Sequence, residues 1–365
     1  MAQHPYEDAP AYAFWRRSVA DMPLHEVDPV IRAEFAISKT DRVATAGSCF
    51  AQNISRYLQQ QGFNFYVAEK AHPIVSRQLA HQYNYGTFSA RYGNIYTARQ
   101  LVQLLKRADD EFRPEEDIWE TEDGRFIDPF RPQIQPDGFS TRTEYSADRA
   151  THLAKVRGLI EQLDVLVFTL GLTECWRSRA DGAVFPLCPG VAGGTFDPAR
   201  HEFINFGVDE IAGDLLESID WIRKRNTKAK IILTVSPVPL IATAENRHVL
   251  VSTAYSKSVL RVAAEMVSTA RPAVAYFPSY EIVAGSFNKG RYFANDLRSV
   301  TEEGVSHVMR LFLKHYMGAT DIASVTIAPG PEHQRVSNTE TAEMAALVEL
   351  NCDEEALDRP TIAQR

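Results

Sequence analysis

Cysteine is scarce in this chain: four residues in 365, at positions 49, 175, 188 and 352. They form no CxxC pair and follow no regular spacing, which argues against a disulfide framework and against a spaced cysteine–zinc site. The ten histidines contain no HxH or HExxH arrangement, so metal catalysis has no local signature. No GxGxxG or GxxxxGKS string is present, and the usual sequence marks of a dinucleotide or P-loop phosphate cradle are therefore missing. Long apolar runs are also absent. No segment approaches the roughly 18 continuous apolar residues of a membrane span, and residues 1–23 lack a basic region followed by an apolar core of the secretory kind. The cytoplasm is the expected compartment, with no membrane partner. Positive charge is in deficit, with 39 Lys and Arg against 47 Asp and Glu and a formal net charge of -8. The cations are scattered, so nucleic acid is not an expected partner. No internal repeat or low-complexity segment divides the chain.

What is present is an α/β alternation. With 45% hydrophobic residues the chain can bury a substantial core. Apolar, β-branched runs at 43–47, 164–171, 230–236 and 273–277 read as strands of a mostly parallel sheet, because an uninterrupted apolar run suits a strand buried on both faces. Helical spacing follows or precedes each of them, after residue 50 and over 97–107, 146–162, 208–225, 252–270 and 301–316. Ser252 or Thr253 is the expected cap of the helix at 252–270, and Thr301 that of the last one. The expected architecture is a three-layer α/β/α sandwich with one core over residues 1–318. Residues 110–145 and 177–206, rich in Pro, Gly and Asp, read as surface insertions able to cover a pocket. From about 319 the chain turns polar and reads as a loosely attached tail, with a weak helical patch near 339–350.

In doubly wound sheets, functional groups collect at the carboxyl ends of the strands. Past the first strand stands Gly47-Ser48-Cys49-Phe50-Ala51. Glycine permits the sharp strand-to-helix turn, and the N–H groups and dipole of a helix N-terminus suit an oxyanion and a thiolate. The same spacing fits Ser48 as a mere cap and Cys49 as core packing.

The string GSCFA, together with Phe14-Trp-Arg-Arg-Ser-Val19, Asn84-Tyr-Gly-Thr87, Thr169-Leu-Gly-Leu-Thr-Glu-Cys-Trp176, Ser236-Pro-Val-Pro239, Tyr255-Ser-Lys-Ser-Val-Leu-Arg261 and Tyr292-Phe-Ala-Asn-Asp296, resembles the GSCFA family of the SGNH-hydrolase superfamily. The resemblance spans residues 14–316. It implies a flavodoxin-like SGNH fold and nucleophilic acyl transfer, as an esterase or acyltransferase on a small or carbohydrate-linked ester. Laying Gly-Ser-Cys on the Gly-Asp-Ser of SGNH enzymes puts Cys49 at the nucleophile position, with Ser48 as the competing choice. A thiolate nucleophile favours a thioester and hence transfer as readily as hydrolysis. No resident cofactor is expected, and coenzyme A is a conceivable acyl donor.

The remaining blocks are carried over from the resemblance. Gly86, within the Asn84 block, is the candidate oxyanion glycine. Thr173 or Glu174 stands where the family scheme has Asn, and Trp176 is a candidate sugar-stacking ring. Asp296 heads the block equivalent to Asp-x-x-His, but its fourth residue is Ser299, so the expected general base is missing. Other histidines, His72, His81, His248, His307 and His315, are more readily read as surface or structural residues, with His307 turned from the inward face of its helix. Arg298, Arg291, Lys257 and Arg261 are candidate anion holders. An alternative reading is a catalytically disabled module that binds an acylated glycan or acyl donor in the same pocket.

Overall fold

The computed structural model describes residues 4–318 and 353–358. The chain runs β1 (Val43–Gly47), α1 (Ala51–Gln60), α2 (Arg77–Gln82), α3 (Ala98–Ala108), β2 (Trp119–Glu120), β3 (Phe126–Ile127) and α4 (Arg142–Gln162). It continues through β4 (Val165–Leu170), β5 (Glu174–Ser178), β6 (Val184–Phe185), β7 (His201–Asn205), α5 (Val208–Arg225) and β8 (Lys230–Val235). Last come α6 (Val249–Ala270), β9 (Val274–Phe277), α7 (Ser279–Ala284) and α8 (Glu302–Met317).

The central sheet has the order β1-β4-β8-β9, with all three pairings parallel. Every residue of β1 and β4 is buried, as strands covered on both faces require. Alternation then divides the side chains between two cores. Ala44, Ala46, Leu166, Phe168, Ile231 and Leu233 meet α3, α4, α5 and α6 on one face. Val43, Val165, Val167, Ile232 and Phe277 meet α1, α7 and α8 on the other. The fold is thus a three-layer α/β/α sandwich.

Caps explain where the helices begin. Thr97 accepts from Gln100 N while the Gln100 side chain reaches back to the Thr97 N–H, a reciprocal capping box for α3. Thr141 and Thr301 cap α4 and α8 through their hydroxyls. The expected cap of α6 moves: His248, not Ser252 or Thr253, precedes the first turn and accepts from Leu250 N. Ser252 instead lies buried inside the helix, accepting from Thr243 and Arg247. The two insertions are more ordered than their composition suggests. β2 and β3 pair as an antiparallel ribbon, β6-β5-β7 form a small antiparallel sheet, and Trp119, Ile127, Ala183 and Phe185 join the two in one apolar cluster.

Of the expected tail only residues 353–358 are described. The weak helical patch at 339–350 lies outside the described residues, but Asp353–Asp358 forms a short 3-10 helix against the body of the protein. Polar partners on the body hold it there, as described below. Among the described residues no helix is long and apolar enough to cross a membrane.

Candidate active site

Gly47 ends β1 with φ +128°, a region open to glycine. A Cβ at this position would lie 2.2 Å from the Thr169 carbonyl oxygen on the neighbouring strand, so no side chain fits. The turn places Ser48 and Cys49 immediately before α1. Ser48 N–H donates to Thr169 O at 3.0 Å. Its Oγ is buried without a hydrogen-bond partner, as is Thr169 Oγ1 on the neighbouring strand. Cys49 is 2% exposed and packs against Val238 and Val300. The N–H groups of Cys49 and Phe50 have no acceptor among the described residues, as expected for donors at a helix start.

Ile95 N–H donates to Gly47 O at 2.8 Å and so brings the Gly93-Asn94 turn to the end of β1. Gly86 and Gly93 both sit in open turns, at φ +83° and +68°, and a Cβ at either would meet nothing within 4 Å. Of the two, Gly93 lies two residues before the Ile95 amide that bonds Gly47, with Asn94 between them. Asn84 lies further out, donating to Gln133 O and lining a small cavity with Asn94. The signal for Asn94 was a Gly-Asn pair in Arg91-Tyr-Gly-Asn94, which spacing alone did not separate from the earlier Asn-Tyr-Gly.

After β4, Gly171 is pressed between Ser48 and Tyr96: a Cβ would come within 3.0 Å of the Ser48 Cβ. Both Gly171 and Leu172 N–H groups donate to Tyr96 O. Thr173, fully buried, commits its hydroxyl to Asn205 Oδ1 at 2.7 Å and its N–H to Ser256 Oγ. Its polar groups are thereby engaged in holding the turn. Glu174 accepts from Thr243 Oγ1 at 2.8 Å. Burial, with Glu245 nearby, raises its pKa despite that hydrogen bond. Trp176 meets Phe196 and Phe203 edge-on and, with Leu172, Glu174 and Leu240, lines a cleft of about 220 Å³.

The last block forms a tight turn at the edge of the site. Asp296 Oδ1 accepts from the N–H groups of Arg298 and Ser299, and Ser299 Oγ donates to Oδ2 at 2.5 Å. That hydroxyl hydrogen bond leads the effects holding the Asp296 carboxyl below its usual range. Both residues are exposed, while the following Val300 touches Cys49. The side chain at 299 thus hangs from a turn adjoining Cys49 and is paired with the Asp296 carboxylate.

No other histidine named from the sequence fills that role. His307 is buried rather than turned outward, hydrogen-bonded to Tyr292 Oη at 2.6 Å and Val27 O at 2.9 Å. Residues before β1 cover that side of α8, which the periodicity of the helix could not reveal. Burial lowers its pKa to about 4. His315 pairs with Asp28, His248 caps α6, and His72 and His81 belong to the outer 72–82 segment.

Of the four candidate cations, two converge. Lys257, on α6 and 1% exposed, donates from Nζ to Gly171 O at 2.7 Å. Burial pulls its pKa down to about 8, against the opposing charges of Glu354 and Cys49. Arg298 donates to Pro239 O and, through Nη2, to Glu354 Oε2 at 2.9 Å. Arg261 and Arg291 instead pair with acids on their own sides of the fold. Asp353 completes the cluster: Asn94 Nδ2 donates to its carboxylate at 3.0 Å, and its own N–H donates to Tyr96 Oη. Burial, with Glu354 beside it, pushes Asp353 up to about 7. Among the described residues no three His, Cys, Asp or Glu side chains converge as a metal-ligand set.

The sequence profile of the GSCFA family matches residues 42–312, which contain Gly47-Ser48-Cys49, Lys257 and the Asp296 block. No curated protein matches the chain. Among solved structures, a carbohydrate esterase family 3 from Talaromyces cellulolyticus aligns with 75% of this chain and 94% of its own, at 11% identity and a TM-score of 0.33.

Proposed function

Because the chain belongs to the GSCFA family, we propose that it carries out nucleophilic acyl transfer at Cys49, as an SGNH-type esterase or acyltransferase acting on a small or carbohydrate-linked ester. The observation that carries this reading is the strand-to-helix turn itself. Gly47 is sterically obligatory, and the two N–H groups that follow Ser48 lack acceptors among the described residues. Those N–H groups are the oxyanion donors of the proposal, and Asn94 Nδ2, which donates to Asp353, would join them once that acid is displaced. Thr173 and Glu174 shape the turn and the cleft, and Trp176 offers a ring for a sugar.

Lys257 is the proposed base in place of the absent histidine. With its pKa lowered to about 8, a fraction of its amine is neutral near neutral pH. The Cys49 thiol gives its proton to Nζ, and the thiolate attacks the ester carbonyl to form a tetrahedral oxyanion. Collapse breaks the C–O bond, and the ammonium returns its proton to the leaving alkoxide. Water or a second alcohol then attacks the thioester, giving its proton to Nζ, and the released thiolate recovers that proton. A cysteine as carrier suits transfer as well as hydrolysis, and an acyl thioester of coenzyme A is one donor such a site would accept, leaving free coenzyme A.

Turnover of p-nitrophenyl acetate tests the proposal. Activity is expected in the unaltered chain, lost in Cys49→Ala and Lys257→Met, and raised in Ser299→His, since Asp296 already holds the side chain at 299. Activity surviving in Cys49→Ala but not in Ser48→Ala would move the nucleophile to Ser48. The exposed Ser299 at the base position favours a second reading, a non-catalytic binding module. Absence of turnover in both the unaltered chain and Ser299→His would favour that module.

A further inference from the structure

We infer that the site contains a preformed subsite for a carboxylate of the substrate, built from Arg298 and Lys257, and that Glu354 of the chain's own C-terminal segment occupies it as a displaceable stand-in. The inference rests on the acyl-transfer reading for the word substrate, but its geometry is independent of that chemistry.

Two cations from distant elements are buried together at the reactive end. The Arg298 side chain is 14% exposed, whereas the neighbouring Arg291 is 63% exposed and pairs on the surface. Lys257 engages a single recorded acceptor, Gly171 O, although an ammonium has three protons to donate. Burying such charges is costly unless an anion meets them. Within the described residues that anion is Glu354, itself 7% exposed, on Arg298 at 2.9 Å and within the field of Lys257.

The segment that supplies it is attached in the manner of a ligand. Among the described residues its polar ties join Glu354 to Arg298, the Asp353 carboxylate to the side chain and the backbone N–H of Asn94, and the Asp353 N–H to Tyr96. Leu357, 42% exposed, adds little apolar anchorage beside Trp176 and Glu174 in the cleft. Both acids are held against their preference, since burial raises the pKa of each. The charged and titratable groups facing them are Arg298, Lys257, Glu174 and Arg131, the last lining the cavity beside Asp353. A small diacid ester presents the same carboxylate without the strain of burying Asp353, and its ester carbonyl would then lie on the Cys49 side of the subsite.

The test uses full-length chains and glutarate as the probe. By calorimetry, glutarate should bind Glu354→Ala at least about tenfold more tightly than the unaltered chain, because an intramolecular competitor has been removed. Adding Arg298→Met to Glu354→Ala should abolish that binding. Glu354→Gln, which keeps the shape of the side chain, should give the same gain, and thermal unfolding checks that each variant folds. Equal glutarate binding in Glu354→Ala and in the double variant would overturn the subsite. Turnover of p-nitrophenyl acetate and of mono-p-nitrophenyl glutarate separates the two ideas. Turnover of the neutral ester without glutarate binding overturns the subsite and leaves the acyl-transfer reading. Glutarate binding without turnover of either ester does the reverse.

Discussion

Two buried polar clusters lie on either side of Asn94, and they differ in how completely their charges are paired. On the outer side, Arg131 bonds Asp128 at 2.8 Å and Asp148 at 2.7 Å, and Arg91 bonds the other oxygen of Asp148 at 2.6 Å. Glu69 accepts from Arg91 N–H and from His152. Burial pushes Glu69 up, but His152 and Arg131 overcome it and leave the carboxylate at about 2. Apart from His152 Nε2, the network satisfies its members, as a scaffold must. On the reactive side, Ser48 Oγ has no partner, Lys257 has one, and the acid that balances it comes from a segment far along the chain. Saturated charge builds a scaffold. Charge left incomplete beside Cys49 is what the proposed site would use.

The sharpest way to break this contrast is at the turn on which the site depends. Gly47→Ala would drive a Cβ into the Thr169 backbone and is expected to abolish folding, read as loss of a cooperative thermal transition. A variant that melts like the unaltered chain would mean the turn is not fixed by that contact. Next in size, Asp128→Ala strands a buried guanidinium and should cost about 3–5 kcal/mol in urea unfolding. Glu354→Ala should cost no more than about 1 kcal/mol, because its segment can leave and expose Arg298 to water. Equal losses in the two variants would erase the distinction between scaffold and stand-in.

A smaller effect comes from His307. Its folded pKa of about 4 lies below the unfolded value of 6.5, so the folded state binds fewer protons between these limits. Its stabilising contribution is complete above pH 6.5 and is lost as pH falls toward 4, by about 3 kcal/mol in all. Urea unfolding across that range should show the slope, and His307→Gln should flatten it. An unchanged slope in the variant would assign the acid sensitivity elsewhere.

The sheet was legible because β1, β4, β8 and β9 are short apolar runs buried on both faces, and the reactive turn because glycine stands where the strand must give way to a helix. The small β6-β5-β7 sheet was not, since Glu174-Cys-Trp-Arg-Ser178 mixes charge and aromatic residues without a clean period. His307 was misjudged because helix periodicity sees only one packing face, while residues before β1 supply a second. Gly86 and Gly93 both follow polar, aromatic stretches, and only the hydrogen bond from Ile95 to Gly47 tells which one reaches the site. Asp353 and Glu354 carry no local signal at all: an acidic pair in a polar tail acquires meaning from cations more than fifty residues away.

The central claim is that Cys49 takes the acyl group, and trapping that intermediate tests it most directly. The full-length protein would be incubated with p-nitrophenyl acetate, quenched in acid and mapped by peptide mass spectrometry. An acetyl thioester on Cys49, absent from Cys49→Ala, is the predicted result. An acetyl group found on Ser48 instead, or no adduct at all in both the unaltered chain and Ser299→His, would contradict it.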